Sequence, residues 1–257
     1  MKWTPTKMEP GETRRWQVGP FSLWVARTRD EWRTAIERGD EQSAEAWAEP
    51  VDPQPDVSWT RWAAVEGDFV FRLAPVLPAA PVIVRPEAPF IFPAGSDLTF
   101  FVSIPVWIRL ASGDVNDTLL REEPTVILSN SFFGDPTTGQ VGYALKTTAR
   151  RNAAELRIGP HLAACPIHIR NQSKDTVAFE RLCVYTRHLG IWAGNERLWT
   201  GTVDVSFRGG AEPEVTSYLA QTPGAAGASD MITPPREPVQ HSIFKKHMAT
   251  VKSLLAT

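Results

Sequence analysis

The chain has 257 residues, 42% apolar and 22% charged, with 27 Lys and Arg against 29 Asp and Glu and a formal net charge of −2. Such a composition supports a globular core and excludes a disordered or collagen-like chain. It also provides no global field that would draw in nucleic acid or an anionic membrane. The 22 prolines argue against long helices and for many short strands.

The opening stretch "MKWTPTKMEPGETRRW" has no apolar segment of the kind a secretory signal needs, so the expected location is the cytoplasm. In "FSLWVARTRDEWRTAIERG", Phe21, Leu23 and Val25 alternate with Ser22, Trp24 and Ala26, and Trp32, Thr34 and Ile36 resume the rhythm after a turn at Arg29–Asp30. This predicts a hairpin with one buried face. The acidic, proline-rich stretch at 40–58 reads as a loop, and "TRWAAVEGDFVFRLAP" as two strands about a tight turn at Glu66–Gly67–Asp68. Proline recurs every few residues after Pro75, which places a boundary between a Trp-rich β unit at 1–78 and a β-sandwich at 79–210.

The clearest strand spans 98–110, where Leu98, Phe100, Val102, Ile104, Val106, Ile108 and Leu110 are spaced by two. It is too short to span a bilayer, and Pro105 predicts a bulge or an edge within it. Further strands are expected at 119–128, 141–148, 154–158, 166–171, 176–186 and 197–208. The predicted fold is mainly β, an antiparallel β-sandwich or two packed β units. Residues 211–238 read as a connector, and 239–257 as an amphipathic helix with Ile243, Phe244, Met248, Val251, Leu254 and Leu255 in one stripe.

Between Ser129 and Arg151, "SNSFFGDPTTGQVGYALKTTARR" is either a reactive loop or a hairpin bend. The turn chemistry favours the hairpin: Asp135 accepts from nearby backbone N–H groups, Pro136 presets φ, and Gly139 supplies the left-handed position. Together with "FPAGSDLTFFVSIPVWIRL" and "IHIRNQSKDTVAFERLCVYTRHLGIW", the stretch resembles the uncharacterised family catalogued as domain of unknown function 432, over about 80–210 and more loosely elsewhere. The resemblance implies no activity. Through the family's similarity to genes found beside those of small mechanosensitive channels, it implies a channel-associated partner.

Chemistry-bearing residues are scattered. A candidate groove would combine Asp135, Arg150, Arg151, His161 and His168, an arrangement able to move protons or hold an anion. No HxH, HExxH or paired-Cys spacing predicts a metal site, and no cofactor is expected. Cys165 and Cys183 read as buried thiols, and the sequons at Asn116 and Asn171 carry no weight in a cytoplasmic protein. Trp24, Trp32, Trp47, Trp59 and Trp62 crowd the N-terminal unit, as core residues or as rings for a sugar or a protein partner. The preferred reading is a non-catalytic binding or assembly protein whose contact surfaces are Trp24, Trp32 and the C-terminal stripe of Phe244, Met248, Val251 and Leu255, pairing with another protein or a second copy. An enzyme of unrecognised type and a carbohydrate-binding module remain as alternatives.

Overall fold

The period-two alternation becomes strand after strand in a computed structural model that describes residues 3–51, 56–63, 70–113, 118–134, 137, 139–208, 214–219, 228–237 and 249–253. Among the described residues there is no α-helix; the only helical pieces are single 3₁₀ turns at Ala153–Glu155 and Thr186–His188. The chain divides into two units: unit 1 comprises Met1–Val76, Pro105–Ile127 and Ile158–Leu162, and unit 2 comprises Leu77–Ile104, Leu128–Arg157 and Ala163–Thr257.

Strands β1 (Thr6–Lys7), β2 (Thr13–Val18), β3 (Phe21–Arg27), β4 (Glu31–Arg38), β5 (Ala46–Pro50), β6 (Thr60–Ala63) and β7 (Val70–Val76) lie in unit 1. β8 (Val82–Pro86), β9 (Phe90–Phe92) and β10 (Asp97–Pro105), save its last residue, run through unit 2, before β11 (Trp107–Ser112) and β12 (Thr118–Pro124) return to unit 1. From β13 (Asn130–Phe133) and β14 (Gln140–Thr147) onward the strands belong to unit 2, save the first residue of β15 (Leu162–Asn171). They continue as β16 (Val177–Val184), β17 (Ile191–Gly194), β18 (Leu198–Thr200), β19 (Val203–Arg208), β20 (Glu214–Leu219), β21 (Ala228–Thr233) and β22 (Ala249–Ser253).

Unit 1 contains a sheet of order β5-β2-β3-β4-β6 and a second of order β1-β7-β11-β12, whose strands pair antiparallel among the described residues. Alternation puts Trp16 of β2 and Trp32 of β4 on the same face of the first sheet, and Phe71 of β7 meets both, at ring-centroid distances of 5.5 and 5.6 Å. All three rings are buried, so this aromatic trio joins the two sheets of the unit.

Unit 2 contains a sheet of order β13-β14-β8-β16-β22, with β9 also on β16, and another of order β20-β19-β15-β18-β17-β21, with β10 on β15. Phe179 of β16 makes edge contacts with Phe92 of β9 and Phe100 of β10, both at 6.0 Å. The expected antiparallel arrangement needs correcting here: β8 with β14, and β15 with both β18 and β19, are parallel pairs. Parallel pairing needs long crossovers, which local alternation does not encode.

The hairpin read at Phe21–Arg38 is present as β3 and β4, in register from Phe21↔Arg38 to Arg27↔Trp32. The two strands expected about Gly67 are present as β6 and β7, but among the described residues β6 pairs with β4 and β7 with β1 and β11; the turn at Glu66–Gly67–Asp68 lies outside the described residues. Residues 154–158 form no strand, because the Asn152 side chain accepts from Ala154 N and caps a 3₁₀ turn instead. The segment read as a connector contributes β20 and β21.

The C-terminal helix is also not supported. Its described part, Ala249–Ser253, is strand β22, antiparallel to β16 with Val251 opposite Phe179. A short segment around Val251 of the stripe suits either period, and the edge of β16 supplies the hydrogen bonds that a helix would otherwise make internally. Phe244, Met248 and Leu255 lie outside the described residues.

Phe71→Ala removes the ring shared by Trp16 and Trp32. It should lower unfolding free energy by about 3–5 kcal/mol, read by denaturant titration of tryptophan fluorescence.

Candidate functional site

The stretch from Ser129 to Arg151 is a hairpin in unit 2: Asn130 pairs with Tyr143, Ser131 with Gly142, Phe132 with Val141 and Phe133 with Gln140. Asp135 lies outside the described residues. Because strand side chains alternate, Phe133, Gln140 and Gly142 face one way and Phe132 and Val141 the other.

The first face is anchored. Phe133 is buried, and the Gln140 amide donates to Tyr185 Oη at 2.6 Å and to Cys183 Sγ at 3.1 Å. Burial first, and then neighbouring Cys183, push the Tyr185 phenol up to about 12, so it stays protonated and polar without charge. Tyr143 N donates to Pro81 O at 2.8 Å, and a Cβ added at Gly142 would lie 2.5 Å from that same carbonyl oxygen. Glycine is therefore required where the hairpin backbone presses onto the segment preceding β8.

The second face is open. Phe132 is 43% and Val141 62% exposed although they sit directly opposite each other, and β13 is the terminal strand of its sheet. Cross-strand partners have Cβ atoms about 5 Å apart, so Phe132 and Val141 form one apolar contact point on a firmly seated support.

His168 has a different setting. It lies on β15 in register with Asp204 of the parallel strand β19, and Nδ1 is 2.7 Å from Asp204 Oδ1. Its other ring nitrogen, Nε2, is hydrogen-bonded to Asp97 Oδ1 at the start of β10. Arg170 reaches the same Asp204 oxygen at 3.7 Å. Burial is the largest single influence on His168 and disfavours its charge, yet hydrogen bonds and charge from Asp97 and Asp204 together outweigh it and hold its pKa above the ordinary histidine value.

The remaining candidates do not join this cluster. His161 belongs to unit 1 and is buried; its carbonyl accepts from Val106 N at 2.9 Å, and its ring fills the space beside Gly19 and Gly159. Arg150 and Arg151 belong to unit 2 and are exposed, Arg150 bridging to Phe101 through its backbone. Trp32 is fully buried and Trp24 is buried, so neither offers a free ring to a partner. All ten tryptophans are buried or half-buried. Cys165 and Cys183 are buried thiols not joined in a disulfide, and burial pushes Cys165 up to about 12.

Reading the sequence alone missed Asp97 and Asp204 as partners of His168, and Gln140 and Tyr185 as the hairpin's anchor. Asp204 did alternate with Val203 and Val205, but its place beside His168 depends on a parallel register. Among the described residues no group of three or more His, Cys, Asp or Glu is placed to hold a metal ion, and no helix is long and apolar enough to cross a membrane.

This β architecture, with its seated hairpin, is accompanied by a family match along nearly the whole chain. The model for the family described as "Protein of unknown function (DUF432)" matches residues 2–252, and the chain belongs to that family. No curated protein and no solved structure matches it.

Gly142→Ala should cost about 1–3 kcal/mol by forcing the hairpin off Pro81, seen as a lower thermal midpoint with the β-sheet circular dichroism retained at 20 °C.

Proposed function

We propose that this protein is a non-catalytic binding or assembly module built of two β-sandwich units, with the open face of the β13–β14 hairpin as its contact surface. The observation that carries the reading is the Phe132–Val141 pair, 43% and 62% exposed and directly opposed on a terminal strand pair. Isolated exposed apolar side chains are ordinary, but an adjoining pair on a sheet edge is a place where another chain gains by docking.

Preorganisation supports the same reading. Gln140 ties the inner face to Tyr185 and Cys183, so the outer face is presented with little ordering cost on association. The aromatic trio of unit 1 and the Phe92–Phe100–Phe179 cluster of unit 2 support a sandwich in each, since both join residues of different sheets. Buried cysteines that are not joined in a disulfide fit a reducing compartment such as the cytoplasm. The partner in this reading is a second copy of the chain.

Replacing Phe132 by Ser and Val141 by Thr removes the apolar pair and keeps strand-compatible residues. Sedimentation velocity on the full chain should show self-association weakened by roughly 2 kcal/mol, on the order of 30-fold in Kd, with circular dichroism unchanged. A parent chain that is monomeric at every accessible concentration, or association untouched by the double substitution, would overturn the proposal.

A further inference from the structure

The surroundings of His168 impose a condition on its protonation that is independent of the hairpin. Nδ1 faces Asp204 Oδ1 and Nε2 faces Asp97 Oδ1. An ionised carboxylate only accepts hydrogen bonds, and a neutral imidazole has a single N–H to donate. With both aspartates ionised, the two contacts coexist only when the ring is imidazolium. Removing its proton leaves one ring lone pair pointing at a carboxylate, which is repulsive.

The cluster also has a strong and a weak side. Asp204 is 22% exposed, comes from the strand paired in register with His168, and has Arg170 at 3.7 Å as a second cation. On the far side of Asp204, β20 brings Tyr218 into register. Asp97 is 61% exposed and pairs with His168. A neutral imidazole therefore keeps its proton on Nδ1 for Asp204 and turns its lone pair on Asp97.

We propose that Asp97, His168 and Asp204 form a proton-operated clasp that fastens the start of β10 to β15 and β19 when the ring is charged and releases it when the ring is neutral. The turn before β10 has its own attachment: Asn171 N donates to Ser96 O at 2.8 Å, and the Asn171 amide donates to Phe92 O at 3.1 Å and Pro93 O at 3.0 Å. Opening is thereby confined to the first residues of β10, and the sheet persists. The clasp is a local pH-responsive element built into unit 2.

The sign of the effect follows from the direction of the shift. A histidine whose folded pKa exceeds its unfolded one contributes fully below the ordinary histidine value, and that contribution is lost as pH rises through the folded pKa. Alkaline conditions open the clasp, and mild acid closes it.

The test uses the full chain. Proton NMR titration of the wild type should place the His168 ring above the ordinary histidine range, and Asp97→Asn should bring it down. Hydrogen exchange at residues 97–99, corrected for intrinsic pH dependence, should show protection falling between pH 6 and pH 9, by about tenfold for each pKa unit of upward shift. Both Asp97→Asn and His168→Gln should abolish that pH dependence. A wild-type His168 that titrates at or below the ordinary value, or protection at 97–99 that is level across this range, would overturn the proposal. Because both decisive readings come from the wild type, a variant that folds poorly cannot mask the result.

Discussion

Pro105 stands inside a run of apolar residues that alternates without interruption from Leu98 to Leu110, and it has no N–H to give to a sheet. The ladder ends there: β10 stops at Pro105 and belongs with β15, while β11 starts at Trp107 and pairs with β7 and β12. Val106, between them, is satisfied outside both strands, its N–H donating to His161 O at 2.9 Å and its carbonyl accepting from Thr125 N at 3.2 Å and Thr125 Oγ1 at 2.6 Å. One missing donor thus permits a single alternating stretch to supply strands to two different units. The buried side chains on either side, Ile104 and Ile108 among them, are each fully buried in the unit they serve.

A comparable economy governs the buried polar groups. Asn171 is 1% exposed, and its amide donates to the carbonyls of Phe92, Pro93 and Asp175 while its side-chain oxygen accepts from Ser173 N and Ser173 Oγ. Two chain segments, 92–93 and 173–175, are fixed by one side chain whose polar atoms are all engaged, which is the condition under which burying an amide is tolerable. The same residue begins a sequon, and its burial leaves no amide nitrogen free for a glycan in the folded protein. In unit 1, Gly19 has φ +58°, and its missing Cβ is the space that the His161 ring occupies. Position 161 is thereby a packing residue, whatever chemistry an imidazole could offer elsewhere.

Much of the secondary structure was legible because alternation is a local property. Phe21–Ile36 spelled out a buried face and a turn, and β3 and β4 form that hairpin. The Ser129–Arg151 stretch likewise reads as a hairpin, and β13 and β14 pair antiparallel within it. Partner choice was less legible. Nothing in "TRWAAVEGDFVFRLAP" says that β6 will go to β4 and β7 to β11, since both alternate and both have suitable length. The C-terminal stripe was misread for a related reason: a few apolar residues near Thr250 and Val251 satisfy two periods, and a vacant strand edge decides between them. For the candidate groove, residue type alone suggested a cluster. His168 instead finds Asp97 and Asp204, whose sequence separations of 71 and 36 leave no local trace.

The hairpin and the clasp show how a β architecture separates rigidity from responsiveness. At the hairpin, the groups that set the geometry are the neutral Gln140 amide and the Tyr185 hydroxyl, with the phenol held un-ionised by burial, so the seat is insensitive to pH over the ordinary range. At the clasp, every group that sets the geometry is ionisable, and one of the three strands is held by an aspartate that is mostly in water. Neutral hydrogen bonds on a buried face give a fixed platform, which suits docking because little entropy remains to be lost. Charged hydrogen bonds at a half-exposed strand junction respond to a change of one proton because the imidazole is required to donate twice. The two sites therefore differ in what can perturb them: apolar substitution on the outer face for the hairpin, and protonation for the start of β10.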